Sequence, residues 1–239
     1  MHGANAGSVR ALAERSAGHR WTDLKLRAAS AAVLGALALA GVWQGGALWS
    51  AVVLLGAIAL AAEWALLTRH AWQGRVLSVP VRVIAGLAYL LPGCLALLWL
   101  RFYGVAGLLN TAFLLTVVWA SDIGAYGAGR LFGGPRLAPR ISPGKTWSGG
   151  VGGLCAAVLA GACFGPFPGA LLVAALLGVV SQAGDLWESA IKRKFGVKDS
   201  GRIIPGHGGV LDRVDGLLAA APVAAGLAAA MGPGMPVWG

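Results

Sequence analysis

Charge is what this sequence has least of. Only 12% of its 239 residues are charged, and acidic residues number 9 against 19 Lys and Arg. A soluble domain carries roughly twice that share of charge, so an ordinary water-exposed fold is excluded. Polar alternation is missing too: no stretch of about ten residues alternates apolar with polar, which excludes the strands of a membrane barrel. Cysteine is scarce. Cys94, Cys155 and Cys163 all fall in apolar runs, without CxxC spacing or nearby histidines. Neither a disulfide framework nor a zinc site is indicated, which leaves them the role of small packing residues.

What abounds is apolar: 57% of residues are hydrophobic and the mean hydropathy is +0.73. A helix needs about 20 apolar residues to cross ~30 Å of hydrocarbon. Such runs recur at 26–43, 47–68, 79–100, 104–124, 149–166, 169–190 and 213–232. They are nearly pure Ala, Leu, Val and Gly, and a backbone in lipid must satisfy its own hydrogen bonds, so helices are required. The sequence therefore predicts an all-α, polytopic membrane helix bundle of about seven transmembrane helices, with six to nine compatible with the run boundaries. Residues 1–25 are polar and basic and are expected to form a cytoplasmic segment ahead of a single transmembrane domain, 26–239. No cleavage motif follows the first run, so its helix is expected to be retained.

The cations fall in clusters. Arg10, Arg15, Arg20, Lys25 and Arg27 precede the first run, while the 44–46 connection has no charge. Later clusters are Arg69, Arg75 and Arg82; Arg130, Arg136, Arg140 and Lys145; and Lys192, Arg193, Lys194, Lys198, Arg202 and Arg213. Lys and Arg collect in cytoplasmic loops, which puts the amino terminus and these clusters inside and makes the inner (plasma) membrane the expected location. Arg101 alone falls on the far side. The net charge of +10 suits anionic headgroups and phosphates. No basic helix or RNA-binding motif accompanies it, so nucleic acid is not an expected partner.

The acidic residues are equally placed. Asp122, Asp185, Glu188, Asp199, Asp212 and Asp215 lie near the last two clusters, and Glu14, Asp23 and Glu63 in the first third. Asp185, Glu188, Ser189 and Lys192 stand at i, i+3, i+4 and i+7, on one helix face. Interfacial anchoring and i,i+4 pairing would account for that face as well as chemistry does. Asp212 and Asp215 open the last run, where the helix dipole alone favours them; Asp122 also suits an ion pair with Arg130 or Arg140. In the Gly-rich stretch 195–209, the amides around His207, Gly208 and Gly209 are placed to approach an anion. If Asp185 and Asp212 converge, they supply the carboxylate pair typical of a Mg²⁺ that also holds phosphates.

The run from Ser189 through Lys192, Arg193, Lys198, Asp199, Arg202, Pro205, His207, Gly208, Gly209, Asp212 and Arg213 to Asp215 resembles, over its whole length, the signature of phosphatidate cytidylyltransferases, or CDP-diacylglycerol synthases. Ser121-Asp122 with Tyr126, Gly129 and Arg130, and then Ser142-Pro143-Gly144-Lys145-Thr146-Trp147, are similar to two further elements of that family. Two positions depart from it: Gly144 stands where the family has a first Lys, and Ser148 where it has a Glu. Pro139 occupies the place of the first Gly of a Walker A loop, so Gly144-Lys145-Thr146 is not one.

The resemblance implies transfer of the cytidylyl group of CTP to phosphatidate, giving CDP-diacylglycerol and pyrophosphate for phospholipid biosynthesis. It implies catalytic roles for Asp185, Asp212, Lys192, Ser189 and Arg213, with Mg²⁺ on Asp185 and Asp212 and K⁺ as a second ion. Substrate contacts are implied for Asp122, Ser142, Lys145, Thr146, Arg193, Lys198, His207, Gly208, Gly209 and Asp215. CTP, phosphatidate and membrane lipids are the expected partners. The small residues of 149–153 suit helix packing, including a homodimer. Two other readings compete: a CTP-dependent transferase acting on another lipid, such as a polyprenol kinase or archaeol-type cytidylyltransferase, and a transporter, for which Glu63 is the fitting residue.

Overall fold

Each apolar run folds as one helix. The computed structural model describes residues 29–70, 76–165, 168–201, 203–204 and 208–239; the basic segment 1–25, Arg75, Arg202 and His207 lie outside the described residues. The helices are α1 (Ala29–Gln44), α2 (Gly46–Leu67), α3 (Val79–Phe102), α4 (Gly107–Phe132), α5 (Trp147–Ala162), α6 (Pro168–Lys194) and α7 (Leu211–Met231). Local signals set their ends. A proline occupies the first turn of α3, where a missing amide costs nothing. Gly133, at φ 60°, ends α4, and the Thr146 side chain caps α5 by accepting from Gly149 N. Among the described residues five helices, α2, α3, α4, α6 and α7, are long and apolar enough to cross a membrane, and α1 and α5 are shorter.

The fold is all-α save for one short element. Between α4 and α5 lies an antiparallel hairpin of β1 (Arg136–Ala138) and β2 (Ser142–Thr146), with Arg136 opposite Thr146 and Ala138 opposite Ser142. Pro135, Pro139 and Pro143 keep this segment from helix, and strands this short leave no periodic signal.

Glycine sets the spacing of the bundle. A side chain on Gly124 would meet Gly152 O at 2.8 Å, and one on Gly153 would meet Ser121 O at 2.8 Å, so α4 and α5 touch backbone to backbone. The 149–153 segment on which a homodimer was expected is thus packed against α4 of its own chain. Helices α6 and α7 cross as closely: a Cβ on Gly216 would lie 2.6 Å from Ser181 Oγ, and one on Gly184 3.1 Å from Asp215 O. Gln182 crosslinks the centre, donating to Ser121 Oγ and Gly150 O at 3.2 Å each. Phe113, Leu114, Val117, Leu177 and Leu211 fill the interior, while Leu54, Leu55, Ile58, Leu159 and Leu172 cover the outside. That apolar exterior is the surface of a protein solvated by lipid.

The two ends of the bundle differ. At one, Arg101 Nε donates to Val42 O at 2.7 Å and caps the carboxyl end of α1, which gives the outlying cation a structural task. The tail after α7 folds back at that same end: Val237 N donates to Asn110 Oδ1 at 2.9 Å, and Trp238 lies 4.5 Å from Phe113 between ring centroids. The other end gathers the last turns of α2, α4 and α6, the first turns of α5 and α7, and the hairpin.

Candidate active site

At this second end the helical spacing of α6 turns Glu188, Ser189 and Lys192 inward, at 1%, 8% and 8% exposure. Lys192 Nζ lies 2.5 Å from Glu188 Oε2 and 2.6 Å from Asp212 Oδ1. The i,i+4 pairing expected of this face is therefore present, and the same ammonium also reaches across to α7. Asp212 accepts further bonds from Ser200 N and Gly209 N at 3.2 Å. Glu188 Oε1 is buried with no hydrogen-bond partner.

Beside this triad lies a second, more open pair. Lys145 Nζ on β2 is 2.6 Å from Asp185 Oδ2, with side-chain exposures of 26% and 35%, and Ser189 Oγ donates to Asp185 Oδ1 at 3.5 Å. Asp215 accepts from Gly216 N at 2.7 Å and lies within electrostatic range of Asp185, Glu188 and Asp122. Asp122 is in range of Asp185, Lys145 and Arg213. Tyr89 of α3 lies in range of Glu188, Asp215 and Asp185, its hydroxyl buried and unpartnered. The close crossing at Gly184 and Gly216 is what brings the acidic turns of α6 and α7 together, since each glycine adjoins an acidic site residue.

Other expected residues hold the frame. Thr146 is 4% exposed and caps α5. Arg193 donates to Ile141 O at 3.1 Å and Val197 O at 2.9 Å, tying the hairpin turn to the end of α6. Arg130 donates to Tyr126 Oη at 2.6 Å rather than to Asp122. Ser142 opens β2, half-buried, and Lys198 is exposed in the α6–α7 loop. Gly208, at φ 85°, donates to Ile204 O at 3.2 Å, and Gly209 N is spent on Asp212, so both amides offered to an anion have internal acceptors. Of the two departures, Gly144 has open space at its Cβ position. Ser148 Oγ lies 3.0 Å from Thr146 Oγ1 and also bonds Gly133 O, closing the α4–α5 connection.

Sequence spacing alone does not put two participants in the site: Ser200 and Glu63. Glu188 stands on the polar face of α6, four residues before Lys192, and the further contact is the one from Lys192 across to Asp212. Glu63, fully buried, accepts from Ser200 Oγ at 3.1 Å and from Val210 N and Leu211 N at 2.8 Å. The residue on which a transport reading rested is therefore committed to the α6–α7 loop. An isolated Glu inside an apolar run is the signal that such a partner exists, since an unpaired charge there is costly.

A divalent cation fits this end in donor type and in charge. In the inner cluster there, Asp122, Asp185, Glu188, Asp212 and Asp215 outnumber Lys145, Lys192 and Arg213, and Glu188, whose Oε2 pairs with Lys192, has in Oε1 a hard oxygen with no hydrogen-bond partner. Among the described residues no three His, Cys, Asp or Glu form a ligand cage. Mg²⁺ commonly takes one or two carboxylates and completes its shell with phosphate oxygens and water, so a cage is not required.

Residues 79–231 match the Cytidylyltransferase family. The chain is 40% identical over 246 aligned positions to the phosphatidate cytidylyltransferase of Brucella suis biovar 1 (strain 1330), covering 84% of this chain and 91% of that protein. It is 45% identical over 163 positions to the phosphatidate cytidylyltransferase of Pseudomonas aeruginosa, covering 65% and 60%. With the phosphatidate cytidylyltransferase of Haemophilus influenzae it shares 45% over 127 positions, covering 48% and 44%. A match over most of the chain, on the segment that carries the Lys145–Asp185 and Glu188–Lys192–Asp212 contacts, means that this protein belongs to the cytidylyltransferase family.

Proposed function

We propose that the protein transfers the cytidylyl group of CTP to phosphatidate. An oxygen of the lipid phosphate attacks the α-phosphorus of CTP, the bond from that phosphorus to the bridging oxygen breaks, and pyrophosphate leaves with CDP-diacylglycerol formed. The observation that carries this reading is the pair of lysine–carboxylate constellations side by side at one end of the bundle. The attacking phosphate is already ionised, so alignment and charge neutralisation are the tasks, and no strong base is called for. Lys145 is exposed enough to exchange Asp185 for a nucleotide phosphate. Lys192 holds Asp212 and Glu188 in place, and Arg213, Arg193 and Lys198 offset the repulsion between two polyanions. Ser189 orients Asp185. Asp122, Asp215, Ser142, Thr146, His207, Gly208 and Gly209 shape the nucleotide side. Asp185 and Asp212 would hold Mg²⁺, with K⁺ beside it, and the bound ion would neutralise developing charge on the phosphoryl oxygens.

The finer topology belongs to the same proposal: seven spans in one domain, 26–239, with the amino terminus and the site on the cytoplasmic face of the plasma membrane, as a homodimer among membrane lipids. A groove of about 450 Å³ between α2 and α3 supports the lipid partner. Ala57, Ala61, Trp64, Leu87 and Leu90 line it, and Arg69 and Arg82 stand in its wall, a setting for an acyl chain under an anionic headgroup.

The test is conversion of labelled CTP into chloroform-soluble product by the purified chain with phosphatidate and Mg²⁺. Wild type should form CDP-diacylglycerol, and Asp185→Asn and Asp212→Asn should each lose on the order of 100-fold in turnover. A wild type inactive on phosphatidate but active on a polyprenol or archaeol-type lipid would replace the proposed substrate.

A further inference from the structure

The signature loop between α6 and α7 is held by a residue of a helix that precedes the segment matched by the family model. Glu63 belongs to α2, ahead of the matched residues 79–231, and its carboxylate is fully buried. It accepts from Val210 N, Leu211 N and Ser200 Oγ. The start of α7 has no side-chain cap of its own, so a carboxylate from another helix supplies it. Asp212 grips the same segment one amide earlier, through Gly209 N, and takes Ser200 N while Glu63 takes Ser200 Oγ. Two carboxylates thus share three successive amides and one serine.

The glycines of the loop have the shape of this socket. A Cβ on Gly201 would lie 2.7 Å from Glu63 Oε1, and one on Gly209 would lie 2.8 Å from Glu63 Oε2. A side chain at Gly201 would press on the carboxylate, and one at Gly209 would press on Ser200 Oγ and the carboxylate together.

We infer that Glu63 is a positioning residue for the cytidylyl transfer: docked against Gly201 and Gly209, it fixes the first turn of α7 and thereby the orientation of Asp212 toward Lys192. The inference rests on the proposed activity only for its turnover readout. Gln is nearly isosteric with Glu, but its NH₂ group would face a backbone N–H, two donors opposed, so Glu63→Gln loosens the socket without emptying it.

The experiment compares full-length wild type, Glu63→Gln, Ser200→Ala and the double variant in lipid–detergent micelles. Backbone amide exchange and steady-state kinetics with CTP and phosphatidate are followed together. In Glu63→Gln the amides of residues 209–211 should exchange roughly tenfold faster or more while those of α6 stay protected. The value of kcat should fall about tenfold, with KM for CTP within about twofold. Ser200→Ala, which removes a single donor, should shift both in the same direction by less, and should add little to Glu63→Gln. Lower thermal stability with kcat and exchange at 209–211 unchanged would overturn the inference and leave Glu63 a structural group alone. If Glu63→Gln does not fold, unchanged exchange and turnover in Ser200→Ala overturn it equally. A wild type that turns over no phosphatidate would sink the proposed substrate, while the exchange data would still decide whether Glu63 holds the loop.

Discussion

Two lysines of the site differ in burial, and that difference separates their effects. Lys192 is nearly sealed between Glu188 and Asp212. Removing it leaves two buried carboxylates facing each other with no cation, a defect that costs about 3–5 kcal/mol. Lys145 and Asp185 are each about a quarter to a third exposed, and a pair in that setting contributes about 1 kcal/mol or less. Lys192→Ala should therefore lower both the unfolding temperature and turnover, whereas Lys145→Ala should lower turnover by on the order of 100-fold with the unfolding temperature nearly unchanged. Thermal unfolding in detergent beside the CTP assay separates the two. Equal stability losses would mean that the Lys145 pair is as deeply desolvated as the other.

At the level of helices, the α6–α7 crossing is the element on which the site depends. Gly216→Val would push a side chain into Ser181, and Gly184→Val into Ala219 and the backbone of Asp215. Each should destabilise the fold by about 1–3 kcal/mol and abolish activity by separating Asp185 from Asp215. Gly226, on the same α7 with nothing near its Cβ position, provides the control: Gly226→Ala should be neutral or stabilising by up to about 1 kcal/mol. Thermal unfolding and turnover of the three variants check this. The elements were largely legible, because a run of apolar residues as long as a bilayer is thick has no other stable backbone than a helix; even so, α4 continues about two turns past its predicted end, since Tyr126 to Phe132 stay helical beyond the apolar stretch. The hairpin was invisible, being too short to show a period. Within the candidate site, the shared face of Asp185, Glu188, Ser189 and Lys192 on α6 was legible from its spacing. The Lys192–Asp212 contact and the Glu63 socket were not, because they join residues of different helices whose meeting is decided by which helices pack.

For the molecule as a whole, the ends of the bundle carry a topological prediction. In a background lacking Cys94, Cys155 and Cys163, Asp199→Cys in the α6–α7 loop and Met235→Cys in the tail should react with a membrane-impermeant maleimide from opposite sides of sealed vesicles. Labelling of both from one side would refute the proposed arrangement. Unequal helix lengths have a further consequence. Helix α5 has 16 residues and α6 has 27, so they extend about 24 Å and about 40 Å along their axes. A hydrocarbon slab matched to the shorter helix leaves the last turns of α6, from Asp185 to Lys194, standing clear of it, or else the leaflet thins around α5. Were α5 a span, the carboxylates would in either case come level with the phosphates of the surrounding lipids. A lipid substrate would then reach the reacting groups by sliding sideways within its own leaflet, its chains never leaving the oil.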